Sequence, residues 1–511
     1  MLKDKRILCL GNNTEDTDRR TTELSVSAGK TNHGLISKFD GVDVDTFSPT
    51  VGFYHTSYVD LDYSDLIKLA DKFDEIIVLG QPVESYQTTH EFHQTVSIAK
   101  HIAKTKTVIF QNNRFENTLE DIVKENKSIC ILPFIQSVQI DGNNMPCCRA
   151  GDTLSKFDPS IPYDQDAGRN QFKEKMLKGE KLDKHCDVCY KLEDKNVISP
   201  RIALTVEWAN RLNIYSLEEL NSIKEPVSYE VRASNECNIM CRSCNPLNSN
   251  LIAEENKKTK VYSVIPFEYT GYQHINIDNI EKLYVAGGEP TISEDLYLFL
   301  EECLSKGKTD LEIQLNTNAV NLSTRFKSII KHFSNITFEI SIDGYKEVNQ
   351  YVRWPTKWNK LIDNIDYLYE NNHRISFNTV VSIYTITSLY DLINFLSLRY
   401  KDLPHHLTQA GFKDDILSSY NCPTIDTVVS MLLKIKQLDT YKNNVTINSQ
   451  IDSYYTHYTS SPEINLEKLK KFFEYSDKLD QSRNVKLKDY IPELEACRSL
   501  ITKQTQTINA E

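Results

Sequence analysis

The sequence predicts an α/β protein in which a partial (β/α)6 barrel follows an N-terminal α/β domain and a small cysteine-rich domain. Short apolar segments alternate with helical patterns over 1–125 and again over 227–411. Eight of the twelve cysteines lie between residues 130 and 244. Such alternation is typical of parallel sheets covered by helices. The predicted boundaries are 1–127 for the N-terminal domain, 128–200 for the cysteine-rich domain, 201–226 for a helical connector, 227–411 for the barrel and 412–511 for a helical extension.

The composition is that of a folded chain with several domains. It has 511 residues, of which 25% are charged, and a formal net charge of −12. This acidic balance disfavours a protein that mainly follows phosphate backbones, so nucleic acid is not an expected partner. The longest apolar runs fall short of the roughly 20 residues of a membrane helix, and the run after Met1 is too short for a signal peptide. We expect a cytoplasmic protein with reduced thiols and no membrane partner.

The N-terminal domain is predicted to be Rossmann-like. Strands are expected at 6–11, 75–80 and 107–110, with amphipathic helices at 63–74 and 91–104. The first strand ends in GNNTED, which lacks the G-x-G-x-x-G pattern of a dinucleotide site. This pattern favours docking or substrate presentation over nucleotide binding.

The barrel is predicted from six strands, each followed by a helical pattern. In parallel barrels the chemistry lies at the carboxyl ends of the strands, and the polar motifs of this region fall there. Helical patterns also run through 201–222 and through the extension. The six strands are expected at 227–233, 282–287, 311–316, 336–342, 374–381 and near 405–412.

A loop with three cysteines follows the first of these strands. The segment RASNECNIMCRSCNP holds Cys237, Cys241 and Cys244 in a C-x3-C-x2-C spacing. A structural zinc site uses four ligands, whereas three thiolates on a four-iron cube leave one iron open. Later strand ends carry further polar groups: the AGGEP turn, Thr317 and Asn318, Ser341, Asn378, and Arg353 ten residues after Asp343.

In this order the motifs resemble the radical S-adenosylmethionine (radical SAM) superfamily over 227–411. The resemblance implies that Cys237, Cys241 and Cys244 hold a [4Fe–4S] cluster whose open iron binds the amino and carboxylate groups of S-adenosylmethionine. Reductive cleavage would then give a 5′-deoxyadenosyl radical that takes a hydrogen atom from a substrate. A zinc site would leave the other strand-end motifs unexplained. The residue before the third cysteine is often aromatic in the family, but here it is Ser243.

The resemblance also implies which residues bind S-adenosylmethionine. Two glycines let the backbone approach the amino group, the adjacent glutamate accepts from the ammonium, and the arginine pairs with the carboxylate. Hydroxyl and amide groups at the strand ends would bind ribose or carboxylate oxygens. The expected contacts are Gly287, Gly288, Glu289, Pro290, Thr317, Asn318, Ser341, Arg353 and Asn378.

A second set of cysteines lies before the barrel. Cys130 and Cys147 flank a predicted hairpin with DGNN as its turn, and Cys186 and Cys189 form a C-x2-C pair. Four thiolates can hold zinc or an iron–sulfur cluster, and spacing alone favours zinc.

The pattern of this second set resembles the twitch domain, a short relative of the SPASM domain. That resemblance implies an auxiliary [4Fe–4S] cluster, hence two clusters in the chain. The domain usually follows the barrel, and here it precedes it, so Cys148 could replace Cys147 as a ligand. A full four-cysteine set leaves no iron open for substrate and suits acceptance of an electron from a substrate radical.

The leading functional prediction is therefore an enzyme that abstracts hydrogen from an unidentified peptide, sugar or small alcohol. It would need an external one-electron reductant of the flavodoxin or ferredoxin type. The alternative is a binding protein stabilised by zinc or a cluster and without turnover, which the intact three-cysteine loop and GGEP turn disfavour. A nucleic-acid modifier is disfavoured by the acidic balance, and the basic run 173–184 is typical of a solvated helix face.

Overall fold

The structure is a computed structural model of the chain, and it describes most residues from 126 onward and four strands before them. The described residues are 7–11, 51–55, 75–79, 107–111, 123, 126–140, 142–194, 198–214, 216–263, 269, 271–401, 403–411, 415–460 and 463–501.

The chain forms two compact units. The first comprises Met1–Ile135, Met145–Ser155 and Pro162–Glu225. The second comprises Gln136–Asn144, Lys156–Ile161 and Pro226–Glu511.

The first unit begins with a four-stranded parallel sheet made of β1 Ile7–Gly11, β2 Val51–His55, β3 Glu75–Leu79 and β4 Thr107–Gln111. Its order is β2-β1-β3-β4, so the chain continues to both sides of its first strand, as in doubly wound sheets. Three strands confirm the sequence prediction. β2 was not predicted, because Gly52 and a short apolar set weaken its strand signal. The helices predicted at 63–74 and 91–104 lie outside the described residues, so the Rossmann-like assignment stays a prediction.

Five helices follow among the described residues of the first unit, and local signals explain their limits. The fourth begins at Pro200 behind the N-cap Ser199, whose hydroxyl accepts from the Ile202 N–H. The fifth starts with a capping box formed by Ser216 and Glu219. Both lie in the segment predicted to be helical, and that segment belongs to the first compact unit. The helices are α1 Leu132–Ile135, α2 Ala167–Leu177, α3 Asp183–Glu193, α4 Pro200–Leu212 and α5 Leu217–Asn221.

The second unit is built on a nine-stranded, mostly parallel sheet with the order β15-β14-β12-β11-β10-β8-β5-β6-β7. All six predicted barrel strands are present and pair in parallel with their neighbours. The last of them, His405–Gln409, pairs with Arg374–Val381 and, among the described strands, does not pair with the first, Ser228–Val231. The strands are β5 Gln136–Ile140, β6 Asn143–Met145, β7 Ser155–Lys156, β8 Ser228–Val231, β10 Lys282–Val285, β11 Glu312–Thr317, β12 Ile336–Ser341, β14 Arg374–Val381 and β15 His405–Gln409, while β9 Met240–Cys241 and β13 Arg353–Trp354 form a separate antiparallel pair.

The predicted hairpin before the barrel has a different role from the one expected. Its first strand, β5, adds to the barrel sheet in parallel with β8. The segment just before β5 is the short helix α1 and not part of the hairpin. Pro133 accounts for this difference, because proline lacks the N–H that a central strand needs and is tolerated in the first turn of a helix.

The two faces of the barrel sheet differ in polarity. Along β11, Ile313 and Leu315 are buried in the larger apolar cluster, while Gln314 and Asn316 alternate with them. The same alternation in β12 places Phe338 and Ile340 in that cluster. Helices supply the other side of the cluster, including α7 Glu294–Ser305, α8 Thr324–Ile330, α10 Trp358–Glu370 and α11 Leu389–Arg399, with α6 Asn250–Thr259 and α9 Glu347–Val352 between strands.

A second apolar cluster is built largely from the C-terminal helices. It also includes Tyr351 and Val352 of α9 and Tyr384, just after β14. The described residues of the predicted extension are thus largely helical and contribute to a packed cluster. None of the described helices is long and apolar enough to span a bilayer. The C-terminal helices are α12 Ile425–Ile435, α13 Asp439–Asn443, α14 Val445–Thr459, α15 Leu466–Arg483 and α16 Pro492–Ala496.

Candidate cofactor site

The carboxyl ends of the barrel strands meet at one edge of the sheet. Val231 is paired with Val285, and Ser341 is paired with Asn378. Because parallel strands share a direction, the loops after residues 231, 285, 317 and 341 leave the sheet on the same side. This edge brings together the three-cysteine loop and the strand-end motifs.

The three-cysteine loop is held by backbone pairing in its middle and by an asparagine side chain at its start. β9 within the loop pairs with β13, so Cys241 stands opposite Arg353. The next residue along, Arg242, donates its N–H to the Val352 carbonyl at 2.8 Å. At the start of the loop, the Cys237 N–H donates to the Asn250 side chain at 3.0 Å. The arginine of the family pattern therefore lies beside the second cysteine.

The three loop cysteines lie close to one another and are free thiols. Burial raises the pKa of Cys237 and of Cys244 to about 12, and the charge of Cys241 raises both further. Burial also raises the pKa of Cys241, while the nearby Arg353 guanidinium acts in the opposite direction. Metal binding displaces the protons of such thiols, so three neighbouring cysteines can supply the thiolate donors of a cluster site.

The Gly-Gly turn packs closely against the start of the three-cysteine loop. Gly287 and Gly288 both have left-handed backbone conformations, with φ of +83° and +53°. A Cβ on Gly288 would stand far inside contact distance of the Glu236 carbonyl oxygen. The Glu289 N–H donates to that same oxygen at 2.7 Å. Only glycine allows the turn to lie this close to the residue before Cys237.

We expect Gly288→Ala to displace the loop. It should lower the free energy of unfolding by roughly 1–2 kcal/mol for the left-handed conformation, plus the cost of the clash. Gly307→Ala is the matched control, because Gly307 has φ of +73° and a Cβ added there would meet nothing within 4 Å. Urea unfolding and alkylation of the loop cysteines measure the two effects. Equal destabilisation and equal alkylation in both variants would contradict a close approach at Gly288.

Glu289 is a buried acceptor that already has four donors from the chain. Its carboxylate accepts from the N–H and hydroxyl of Thr291 at 3.0 and 2.7 Å. It also accepts from the Thr317 hydroxyl and the Asn318 N–H, each at 2.6 Å. The structure therefore places Glu289, Thr317 and Asn318 together, in contact with each other. Pro290 is buried next to them at the start of a short 3₁₀ turn.

The side chain of Asn318 links this group to the cysteine loop. Its amide donates to the Asn238 side chain at 2.7 Å, and Asn238 adjoins Cys237. The end of β11 is thus tied to the loop through one side-chain pair, and to the Gly-Gly turn through Glu289.

Arg353 is buried and paired with an acid. Its guanidinium donates to Asp343 at 2.9 Å, and Asp343 also accepts from the Val380 N–H at 2.9 Å. Five N–H donors are available on a guanidinium, so this single pair leaves donors for a second carboxylate. The charge of Arg353 acts to lower the pKa of Cys237, Cys241 and Cys244.

Ser341 and Asn378 lie on the polar face of the sheet. The Ser341 hydroxyl donates to Asn316 at 3.1 Å, and the Asn378 side chain accepts from Thr408 at 3.0 Å. On the same face, Gln314 donates to Glu339 at 2.5 Å. Burial raises the pKa of Glu339. This face offers hydroxyl, amide and carboxyl groups to a polar ligand.

The second cysteine set lies in the first unit. Cys186 and Cys189 are on α3. Burial raises the pKa of Cys130 to about 12, with further contributions from Cys186 and Cys189. Burial likewise raises the pKa of Cys186 to about 12, and Cys147 and Cys189 add to it. The four predicted ligands are therefore neighbours. Cys148 is exposed.

In the described part of the chain, no three His, Cys, Asp or Glu side chains are spaced to hold one metal ion. A four-iron cluster binds each thiolate through a different iron, so its ligands stand farther apart than the ligands of a single ion. The two cysteine sets fit that donor chemistry.

Several residues of this site were not predicted from the sequence. Asn238 and Asn250 hold the loop, and Asp343 pairs with Arg353. Asp343 had a signal, since it lies in the SIDG motif. Asn238 and Asn250 had none, because asparagines are common in loops and their partners are set by packing.

Together these features define an α/β domain that places three cysteines and an arginine at the carboxyl edge of a parallel sheet. Residues 231–396 match the family model "Radical SAM superfamily". The chain is therefore similar to this superfamily over those residues. No curated protein matches the chain.

Solved structures give distant similarities. The protein anSMEcpe with bound AdoMet is 15% identical, with 40% of this chain and 56% of that chain covered and a TM-score of 0.32. Streptococcus suis SuiB bound to precursor peptide SuiA is 15% identical, with 64% of each chain covered and a TM-score of 0.27. TYW1 with a lysine-pyruvate adduct is 13% identical, with 42% and 71% covered and a TM-score of 0.24. The chain thus spans little more than half of anSMEcpe, the first of these.

Proposed function

We propose that this protein is a radical SAM enzyme. The observation that carries the proposal is the position of Arg353 opposite Cys241, at the strand-end edge where the Gly-Gly turn supports the same loop. In this proposal Cys237, Cys241 and Cys244 hold a [4Fe–4S] cluster. When bound, the cluster and S-adenosylmethionine supply one-electron cleavage to a 5′-deoxyadenosyl radical that takes hydrogen from a substrate.

The residues of the chain would bind and orient the cofactor. Gly287 and Gly288 expose backbone to its amino group, and Arg353 offers its remaining donors to its carboxylate. Ser341 and Asn378 would face ribose or carboxylate oxygens from the polar side of the sheet. Glu289 would hold Thr317 and Asn318 in place through its hydrogen bonds to them. Its second oxygen, which accepts from the Asn318 N–H alone, would also accept from the ammonium.

Arg353→Ala is expected to weaken binding of S-adenosylmethionine while iron content is retained. The lost contact is a charge-assisted pair worth roughly 1.5–3 kcal/mol, or about 10- to 150-fold in affinity. Arg399→Ala is the control, because Arg399 is half-exposed and pairs with Asp366. Arg353→Lys keeps the positive charge beside the buried Asp343, so it controls for misfolding of the Arg353→Ala protein. Unchanged affinity in the Ala and Lys variants, measured calorimetrically, would show that Arg353 faces away from the ligand.

The four cysteines of the first unit are proposed to hold an auxiliary [4Fe–4S] cluster. Their mutual proximity supports this assignment, and the nearness of Cys147 to Cys186 favours Cys147 over the exposed Cys148 as a ligand. A cluster with four protein ligands would accept an electron from a substrate radical. The substrate would be a peptide, a sugar or a small alcohol, presented with help from the N-terminal domain, and the reductant would be flavodoxin- or ferredoxin-like. We place the reaction in the cytoplasm.

Anaerobic reconstitution with iron and sulfide tests the proposal. The reduced protein should form 5′-deoxyadenosine from S-adenosylmethionine and hold about eight irons if both clusters assemble. Cluster assembly without 5′-deoxyadenosine would favour the alternative, a cluster-stabilised binding protein. Four irons with stoichiometric zinc would instead remove the auxiliary cluster from the proposal.

A further inference from the structure

Arg242, inside the three-cysteine loop, extends its side chain into the C-terminal helical region. The side chain is fully buried. Its Nε donates to the Tyr351 carbonyl at 3.1 Å, and the guanidinium lies 3.6 Å from the centre of the Tyr351 ring. One terminal nitrogen donates to the carboxylate of Asp480, on α15. A residue between two proposed cluster ligands is therefore bonded to a helix 238 positions away.

The Asp480 carboxylate is itself held in one orientation. The oxygen that accepts from Arg242 also accepts from the Tyr351 hydroxyl at 2.8 Å. The other oxygen accepts from the Leu487 N–H at 2.7 Å. Both carboxylate oxygens of Asp480 thus accept hydrogen bonds, which restrict the orientation in which Asp480 accepts from Arg242.

Two further residues of α15 contact the same region. The Tyr475 hydroxyl donates to the carbonyl of Arg242 and lies 2.7 Å from the Tyr262 hydroxyl. Arg483 makes a two-pronged pair with Glu255 at 2.9 and 2.7 Å. Glu255 lies on α6, the helix that begins just after the loop. One face of α15 therefore contacts the loop and the segment that leaves it.

These contacts couple the loop to the extension for an electrostatic reason. A buried guanidinium is tolerated when it is paired, and removal of one partner leaves an uncompensated charge in the interior. If α15 were displaced, Arg242 would have to leave its site, and Cys241 and Cys244 on either side of it would move as well.

We propose that α15 is a positioning element of the cluster-binding loop, with Asp480 and Tyr475 as its positioning residues. This inference rests on the proposed function in assigning the loop to a cluster. It gives the extension, residues 412–511, a part in the site: the loop reaches the geometry that its cysteines need only when the extension is docked.

The test measures the loop in the apo protein, so it does not depend on turnover. The hydrogen-exchange rate of residues 237–245 should rise at least about tenfold in Asp480→Asn. The loss of a buried ion pair costs more free energy than a tenfold change requires. Tyr475→Phe keeps the ring and loses the hydroxyl, so it should fold and raise exchange in the same segment. Leu432→Ala is the control for general destabilisation, because Leu432 is fully buried in the same cluster on α12. Glu474→Gln is the control for a charge change at an exposed position of α15.

A second readout uses the reconstituted protein in a Cys186→Ala/Cys189→Ala background, where the remaining iron belongs to the loop. Asp480→Asn and Tyr475→Phe should release this iron to a chelator at least about tenfold faster than Leu432→Ala, on the same reasoning. If loop exchange and iron release in both variants do not exceed those of Leu432→Ala, α15 stabilises the fold and does not position the loop. A wild-type protein that lacks 5′-deoxyadenosine formation would overturn the proposed function and leave the exchange result standing.

Discussion

Protein in which Cys237, Cys241 and Cys244 are all replaced by Ala is expected to lose about half of its iron and all formation of 5′-deoxyadenosine. The thiols are neighbours at the carboxyl edge of the sheet, and no other described cysteine lies in that loop. Without these ligands the cluster proposed for the loop would have no attachment, whereas the cluster proposed for the first unit would keep its four cysteines. Iron and sulfide analysis and product chromatography measure the two losses.

The matched control replaces three other cysteines, Cys303, Cys422 and Cys497, with Ala. They lie outside both proposed sets, and two of them are buried in apolar clusters. This control should retain full iron content and product formation, even though each deleted thiol leaves a small cavity. If the loop triple variant keeps all its iron, the loop does not hold a cluster.

The second large effect is expected at Glu289. Glu289→Ala removes the acceptor of four buried or nearly buried donors, from Thr291, Thr317 and Asn318. Each unsatisfied donor costs roughly 1–3 kcal/mol, partly recovered if water enters, so we expect the free energy of unfolding to fall by about 3–5 kcal/mol. Urea unfolding of the apo protein measures this change.

Glu294→Ala serves as the comparison for Glu289. Glu294 is exposed, and its pair with Arg325 lies at the surface, so its loss should cost less than about 1 kcal/mol. Glu289→Gln keeps one oxygen and should fall between the two. A Glu289→Ala protein as stable as Glu294→Ala would mean that the Glu289 carboxylate does not link the Gly-Gly turn to β11. Binding of the ammonium would then be the one role left for this carboxylate.

Most of the fold followed from local patterns. The six barrel strands were predictable because period-two alternation and buried apolar runs mark them, and the helices between them carry apolar residues at helical spacing. Strand β15 was included for the same reason and is present. The hairpin before the barrel was predicted from its turn, but its pairing with β8 was not, because an apolar strand does not encode which edge it will join.

The candidate site divides in the same way. The spacing of Cys237, Cys241 and Cys244 and the glycines at 287 and 288 are signals within a few residues, since ligand spacing and left-handed turns are local requirements. The sequence therefore predicts the loop, the turn and the class of chemistry. It does not reveal that Glu289 also accepts hydrogen bonds from Thr317 and Asn318 at the end of β11, because these partners are set by packing.

The pair formed by Arg242 and Asp480 shows why packing was needed for the rest. Nothing near Arg242 in the chain indicates that it is buried, and an arginine in a polar loop is ordinarily solvated. Its environment is created by Tyr351, Tyr384 and α15, which come together through the second apolar cluster. Local spacing thus specifies the ligands, while the geometry in which the loop holds them depends on contacts between residues far apart in the chain, because burial and pairing of a charge exist only once the helices have packed.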